Sequence, residues 1–185
     1  MNTKPLVAAL VIAGAGIGGY WYYSPYLSIQ GMRDAAQAKD ADAFNDQVDY
    51  PKVRENLKAQ LSATMAEKLG TTGNTDNGFA ALGAMLGMAM INPMVDAFVS
   101  PEMVMRSMQQ GDFKPVPPLG QDNPTGETEP KKVEWTLERK GTNKVIARTQ
   151  EPGQTEPNQD FGLVLERYGF ADWKLTEIRL NRELR

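Results

Sequence analysis

The pattern of hydrophobic and polar positions divides the chain into three regions, of which the first is an uncharged apolar run. No charged residue occurs from Leu6 to Tyr23, a segment of 18 residues. As a helix, such a segment is ~27 Å long, close to the ~30 Å hydrocarbon core of a bilayer. Aromatic residues close the run, as is typical of the membrane interface. We therefore predict a transmembrane helix over residues 1–24, with these anchor residues: Leu6, Val7, Leu10, Val11, Ile12, Ile17, Tyr20 and Trp21.

Two other interpretations of the same run are weaker. Gly14, Gly16 and Gly19 match G-x-G-x-x-G, the spacing of a dinucleotide-binding turn. That turn opens a helix, whereas aromatics and Ser-Pro follow Gly19, and no alternating series of strands and helices comes after them. Ala13-Gly14-Ala15 has the pattern of a signal-peptide cleavage site, and cleavage there is the alternative to an uncleaved signal anchor. The apolar run continues beyond that site, which favours the anchor.

The charges near the run predict its orientation. Lys4 and the N-terminal amine precede it, and the first basic residue after it is Arg33. Positive residues accumulate on the cytoplasmic side of membrane helices. We therefore expect the N-terminus in the cytoplasm and residues 25–185 outside it, as one domain.

Residues 25–111 form the helical part of that predicted domain. Ser24-Pro25 combines a capping residue with a proline at the first helical position, so we expect a helix to start there. This helix runs to about Lys39 by its hydrophobic spacing. Asp40 or Asp42 then caps a shorter helix.

Two further helices have clear ends. Asp49 and Pro51 open a helix that Gly70 ends, and Ser100 caps another that ends at Gly111. The first of these carries an apolar stripe at a strict spacing of four, which predicts one buried face. The stripe consists of Val53, Leu57, Leu61, Met65 and Leu69.

The helix predicted over Phe79–Ile91 is apolar on every side and ends at Asn92-Pro93. Such a helix must be covered, so we predict that it is the centre of the core. The alternative is an adaptable surface rich in methionine that lines a site for an apolar ligand or a partner. The candidate lining residues are Met85, Met88, Met90 and Met94, with Trp135 and Trp173 from the strands.

The last third of the chain has the alternation of strands. Residues 112–132 form a proline-rich connection, and residues 133–181 contain four apolar runs separated by short turns. The last run changes parity, which predicts a bulge near Thr176-Glu177. We predict an α+β fold in which several helices pack on a C-terminal four-stranded antiparallel meander.

The amino-acid composition excludes several classes of functional site. The chain has neither histidine nor cysteine and a formal net charge of −3, so triads, thiolate chemistry and a basic nucleic-acid footprint are excluded. The acidic residues at 40, 42, 46 and 49 lack the glycine and distal glutamate of a calcium loop. We therefore predict no catalytic residues, no metal and no cofactor, and a non-catalytic binding or interaction domain. The alternative is an enzyme or carrier that uses buried carboxylates on a small hydrophobic ligand.

Three segments resemble one known family. They are YWYYSPYLSIQGMRDAAQAKDADAFNDQVDYPKVRENLKAQL, LGAMLGMAMINPMVDAFVSPEMVMRSM and LVLERYGFADWKLTEIRL, and together they cover almost the whole chain. The sequence resembles the bacterial domain-of-unknown-function family 2939. The resemblance implies a small bacterial protein with an N-terminal hydrophobic segment, no assigned activity and no known functional residues. The element order is also similar to the cone-shaped folds of nuclear transport factor 2 and ketosteroid isomerase, which concerns fold alone.

These observations together predict a location and a set of partners. We expect a single-pass protein of the bacterial inner membrane whose bulk lies in the periplasm. Its candidate partners are the membrane, a second copy of the chain or another envelope protein, and a small apolar ligand; nucleic acid is not among them.

Overall fold

Five helices precede four strands within the residues that the computed structural model describes, which are 4–71, 78–111, 134–150, 153–154 and 156–180. The helices are α1 (Lys4–Ala38), α2 (Ala41–Asn45), α3 (Tyr50–Thr71), α4 (Gly78–Phe98) and α5 (Pro101–Gln110). The strands are β1 (Glu134–Arg139), β2 (Lys144–Gln150), β3 (Phe161–Tyr168) and β4 (Asp172–Leu180). The predicted proline-rich connection, residues 112–132, lies outside the described residues.

The strands form one antiparallel sheet in the order β1-β2-β3-β4, as the meander prediction requires. Val164 pairs with Glu177 and Leu165 pairs with Leu175, so Thr176 is an extra residue on β4. This confirms the predicted bulge, which restores the apolar parity of the strand. The α+β class is confirmed.

The core lies between one face of the sheet and the helices. Val145 and Ala147 of β2 and Leu163 and Leu165 of β3 lie in a cluster with buried residues of all five helices. In α3, Val53 and Leu57 are buried and Leu61 and Met65 are partly buried against the core, which confirms the predicted stripe over these four positions. The side chain of Leu69 lies outside the description.

Polar side chains of α3 cover the open backbone edge of strand β4. Asn56 Nδ2 and Gln60 Nε2 of α3 donate to the carbonyls of Thr176 and Ile178, and Gln60 Oε1 accepts from the Leu180 amide. These bonds satisfy backbone groups that an open edge would offer to another chain. The first half of α3 is thereby held on the sheet.

Of the two caps predicted for the short helix, Asp40 and Asp42, the structure uses Asp40, and the predicted helix start at Ser100 is confirmed. Asp40 accepts from the Ala43 amide at 3.1 Å, and Ser100 accepts from the Met103 amide at 3.3 Å. At the other end of α5, Gly111 adopts the left-handed conformation that ends a helix, with φ of 66°.

Ser24-Pro25 does not start a helix, contrary to the prediction, because α1 is continuous from Lys4 to Ala38. Pro25 removes the amide that would bond to the Trp21 carbonyl, four residues earlier. Ser24 Oγ donates to that carbonyl instead, at 2.9 Å. The serine predicted as a cap therefore replaces a helical hydrogen bond.

The prediction that the apolar helix forms the centre of the core is wrong for its middle part. Leu86 and Met90 of α4 are 61% and 64% exposed, whereas Ile91 and Val95 are buried. Among the described side chains of α4, which begin at Leu86, those of Ile91 and Val95 face the domain, and α3 lies so close that a Cβ at Gly87 would collide with the end of Met65. The helix also continues through Pro93 to Phe98, because Pro93 is on the exposed side, where the carbonyl that it frees can be hydrated.

The first part of α1 has no cover from the domain. Residues 7–18 are all exposed, with Leu10 at 64% and Ile12 at 72%, and a Cβ at Gly14 or Gly18 would meet nothing within 4 Å. We call residues 7–20 the stem. A search of the described residues finds no helix whose length and apolarity suffice to cross a membrane.

Candidate functional site

The stem joins the domain at one end of the sheet. Arg139 is the last residue of β1, and Arg167 is next to last in β3. Because β1 and β3 are both antiparallel to β2, they run in the same direction and end on the same side. The two arginines therefore reach α1 together, at Trp21 and Tyr22. We call this contact region the junction.

Arg167 lies between two aromatic rings at the junction. Its guanidinium carbon is 4.2 Å from the ring centre of Trp21 and 4.4 Å from that of Trp173. Its nitrogens donate to the carbonyls of Thr142 and Phe170 in the two adjacent turns and, at 3.5 Å, to that of Trp21. Planar guanidinium groups stack well on aromatic faces, so this side chain connects α1 to both turns.

Arg139 makes the same kind of contact with the next residue of α1, Tyr22. Its guanidinium carbon is 4.2 Å from the ring centre of Tyr22, and Nη2 donates to the Tyr22 carbonyl. Nε of Arg139 is buried and has no hydrogen-bond partner. Both arginines thus bind the α1 backbone close to the turn that contains Pro25.

Ser24 and Trp173 complete the junction from the core side. Trp173 Nε1 donates to Ser24 Oγ at 2.8 Å, and both residues are buried. Ser24 Oγ therefore accepts from the sheet and donates to the Trp21 carbonyl. The buried Ser24 hydroxyl and the buried Trp173 indole N–H thus both have partners, which holds α1 on the sheet despite the proline.

The junction is a place of uncompensated positive charge. Among the described residues, neither Arg139 nor Arg167 forms an ion pair with a carboxylate; their partners are carbonyls and aromatic rings. Burial lowers the pKa of Arg167, and the neighbouring charge of Arg139 lowers the pKa further. Arg139 and Arg167 therefore carry like charges close to each other at this end of the sheet.

The predicted lining residues whose side chains are described do not meet in one place. Trp173 lies at the junction, and Trp135 is half-buried on β1 with its ring centre 6.2 Å from that of Phe161. Three methionines lie on the exposed surface of α4, and the Met85 side chain is outside the description. The exposed methionines are Met88, Met90 and Met94.

A polar cluster holds the start of α3 on the sheet. Tyr168 donates to Asp49 at 2.6 Å, and Glu166 pairs with Lys52 at 3.2 Å and with Lys144 at 3.0 Å. Burial raises the pKa of Asp49, but the bonds from Tyr168 and the Lys52 amide, with the nearby lysine charges, outweigh it and lower the pKa below 3.8. A carboxylate stabilised in its charged form is a poor proton acceptor.

An open cleft of about 270 Å³ lies where the end of α1 meets α2 and α5. Its lining combines charged and apolar residues: Lys39, Ala41, Pro101, Glu102, Met105, Arg106 and Gln109. The backbone and Ser100 lower the pKa of Glu102, so this carboxyl is also held in its charged form. In the part of the chain that is described, no three acidic side chains come close enough to hold a metal ion.

Sequence reasoning missed Arg139 and Arg167. Each precedes a turn glycine by two residues, at Gly141 and Gly169, but such a position is common for a surface arginine. Their role depends on which end of the sheet α1 crosses, and the hydrophobic pattern carries no information about that.

The family comparison matches residues 15–106 to a family described as a protein of unknown function, DUF2939. The chain belongs to this family. The match begins in the stem and ends in α5, so it covers the helical part of this DUF2939 protein, whereas the resemblance seen in the sequence extended to β4. The comparisons with curated proteins and with solved structures found no match. The analogy to cone-shaped folds therefore receives no support from them.

Proposed function

We propose that this DUF2939 protein is a membrane-anchored, non-catalytic interaction domain of the bacterial envelope, in which the stem is embedded in a lipid bilayer. The observation that carries the proposal is the exposure of the stem. Within one continuous helix, residues 7–18 are apolar and uncovered, whereas Ile29, Met32, Ala35 and Ala36 are buried in the domain. A contiguous apolar surface that the rest of the protein leaves uncovered marks an interaction with lipid or protein.

The energetics favour a bilayer as the environment of the stem. Five large aliphatic side chains are exposed there: Val7, Leu10, Val11, Ile12 and Ile17. At ~1.5–3 kcal/mol for each side chain that is fully buried, transfer of all five from water is worth roughly 8–15 kcal/mol. The stem has no charged residue between Lys4 and the domain to oppose this transfer. The exposed rings of Tyr20, Tyr22 and Tyr23 then lie at the interface, which tyrosine favours.

The same proposal assigns an orientation. With Lys4 and the N-terminal amine on the cytoplasmic side, the domain faces the periplasm and the chain is a single-pass protein of the inner membrane. Alkaline phosphatase fused after Arg185 is then active, and an inactive fusion contradicts this orientation.

Interaction, rather than catalysis, is supported by the body of the protein. The exposed methionines of α4 offer an adaptable apolar surface to a partner. An enzyme with buried carboxylates would need groups whose pKa is raised. The carboxyls of Asp49, Glu102, Glu138 and Glu166 all have a lowered pKa.

Membrane retention tests the anchor directly. The full chain is expected in the membrane fraction after a carbonate wash, and Leu10→Lys with Val11→Lys is expected to release it in folded form. The matched control is Leu86→Lys with Met90→Lys, which places the same charges on an equally exposed apolar surface of α4. If the double variant in α4 is released from the membrane and the double variant in the stem is retained, α4 is the membrane-binding element and the proposal is overturned.

A further inference from the structure

The end of the sheet that carries the junction has a composition unlike the rest of the chain. Residues 138–144 and 166–174 hold five basic and three acidic side chains, a net charge of +2, in a chain whose formal net charge is −3. The acidic groups Glu138 and Glu166 are already paired with basic residues, Glu138 with Lys140 and Arg148 and Glu166 with Lys52 and Lys144. Within these two segments, Arg139 and Arg167 are the arginines without an ion pair among the described residues, and the third acidic residue, Asp172, is the first residue of β4.

An exposed aromatic residue lies beside these arginines. Phe170 is at the tip of the turn between β3 and β4, is 55% exposed, and accepts a hydrogen bond from Arg167 at its carbonyl. A large apolar side chain in a turn contributes nothing to the core. Its position next to two cations is the arrangement by which peripheral proteins contact the region between acyl chains and headgroups.

The height of this end relative to the stem is fixed by direct contacts. Arg167 and Arg139 bind the carbonyls of Trp21 and Tyr22, and the stem ends at the residue before Trp21. If the stem is embedded as far as its aromatic boundary, both guanidinium groups lie within about one helical turn, ~5.4 Å, of that boundary. This is the level of the lipid phosphates.

We infer that the turn end of the sheet docks on the membrane surface, with Arg139 and Arg167 bound to phosphates of anionic phospholipids and Phe170 inserted between the lipids. The inference rests on the proposed anchoring by the stem and adds a second contact to it. Guanidinium groups suit this role because they remain charged and bind phosphate oxygens in pairs. Anionic leaflets also attract basic side chains near their surface. Docking orients the domain, with the end of the sheet that carries Gln150 and Phe161 pointing away from the bilayer.

Site-specific labelling is possible because the chain has no cysteine. Full-length Phe170→Cys and Asp160→Cys carry one environment-sensitive fluorophore each, at exposed positions at opposite ends of the sheet. Both are reconstituted in phosphatidylcholine vesicles with or without phosphatidylglycerol, and with lipids that bear a quencher at the headgroup. Flotation with the vesicles is measured on the same samples.

The expected result is quenching at position 170, stronger with phosphatidylglycerol, and little quenching at position 160. Arg139→Gln with Arg167→Gln is expected to reduce quenching at 170 to the level seen at 160, while the chain still floats. The comparison of the two labels uses the native arginines, so it decides the inference even if the glutamine variant does not fold.

The contradicting results are distinct for the two proposals. A chain that floats but shows no excess quenching at position 170, or equal quenching without phosphatidylglycerol, overturns docking and leaves anchoring intact. A chain that does not float overturns the anchoring by the stem.

Discussion

The two halves of α1 share one uninterrupted helix, yet they are built for different surroundings. The C-terminal half has a buried side, with Ile29, Met32 and Ala36, and an exposed polar side that includes Asp34. The stem is apolar all round and touches nothing in the domain through Gly14 or Gly18. A helix with two unlike faces matches a surface between core and water, whereas a helix with one kind of face needs a uniform apolar surrounding.

The difference also explains where the boundary between the halves falls. The junction is the first place where sheet residues bind α1, and Pro25 lies next to it. The carbonyl that the proline frees is bound by Ser24 and Arg167, so the helix continues without an unsatisfied group. The stem is therefore joined to the domain by an unbroken helix that is bound to the sheet at the junction.

Charged substitutions in the two halves of α1 should differ strongly in their effect on the folding of the domain. Met32→Asp places an unpaired charge at a fully buried position, and this costs several kcal/mol against a total stability of ~5–15 kcal/mol. We expect it to abolish folding. Val11→Asp, in the stem, is expected to leave the thermal unfolding of the domain unchanged. Equal destabilisation by both variants in thermal melts would show that the stem packs on the domain.

An intermediate effect is expected at the junction. Ser24→Ala leaves the buried Trp173 indole N–H without an acceptor, which costs ~1–3 kcal/mol. Ser28→Ala, one turn along the same helix, is the matched control and should change stability by less than about 0.5 kcal/mol. Denaturant titration measures both. If Ser24→Ala is as mild as Ser28→Ala, the polar contact does not hold the helix at the sheet.

A smaller effect depends on pH and concerns the body alone. The folded-state pKa of Asp49 is lowered, so its contribution to stability is fully present above the unfolded-state pKa and is lost as the pH falls through the folded-state value below 3.8. Asp49→Asn is expected to weaken this acid dependence in thermal melts. The stem has no titratable group from residue 7 to residue 18, so its membrane retention should not change over the same range. If Asp49→Asn leaves the loss of stability at low pH unchanged, that loss comes from other carboxyls.

A small change in stability is expected for a charged substitution on the exposed side of α4. Leu86→Asp should cost less than about 0.7 kcal/mol, the difference in helix propensity, because Leu86 is exposed. Val95→Asp on the buried side of the same helix should prevent folding. A melt in which Leu86→Asp is as damaging as Val95→Asp would restore the core position that the sequence predicted for the whole helix.

Local signals in the sequence were sufficient for much of the fold. Alternation predicted four strands within residues 133–181, and the structure has them between Glu134 and Leu180. A change of parity predicted the bulge at Thr176, and the cap residues Asp40 and Ser100 predicted two helix starts. Each of these depends on residues that are neighbours along the chain or in one strand.

The errors came from contacts between distant residues. The continuity of α1 through Pro25 depends on Ser24, Trp173 and Arg167, which lie in two different parts of the chain. The exposure of α4 could not be predicted because a helix apolar on every side does not indicate which side is covered. The same limit applies to the candidate site, since a pattern that offered a methionine-rich surface only as the alternative to a core helix could not indicate the arginines of the junction.

Whether lipid covers the stem is measured by the chemical accessibility of Ile12, which the domain leaves 72% exposed. Full-length Ile12→Cys in vesicles is treated with a maleimide that cannot enter lipid, and Leu86→Cys serves as the matched control on α4. If the stem is embedded in lipid, Ile12→Cys is unreactive until detergent is added, while Leu86→Cys reacts in both conditions. Reaction of Ile12→Cys in intact vesicles at the rate of Leu86→Cys would contradict the claim that the stem is embedded in the bilayer.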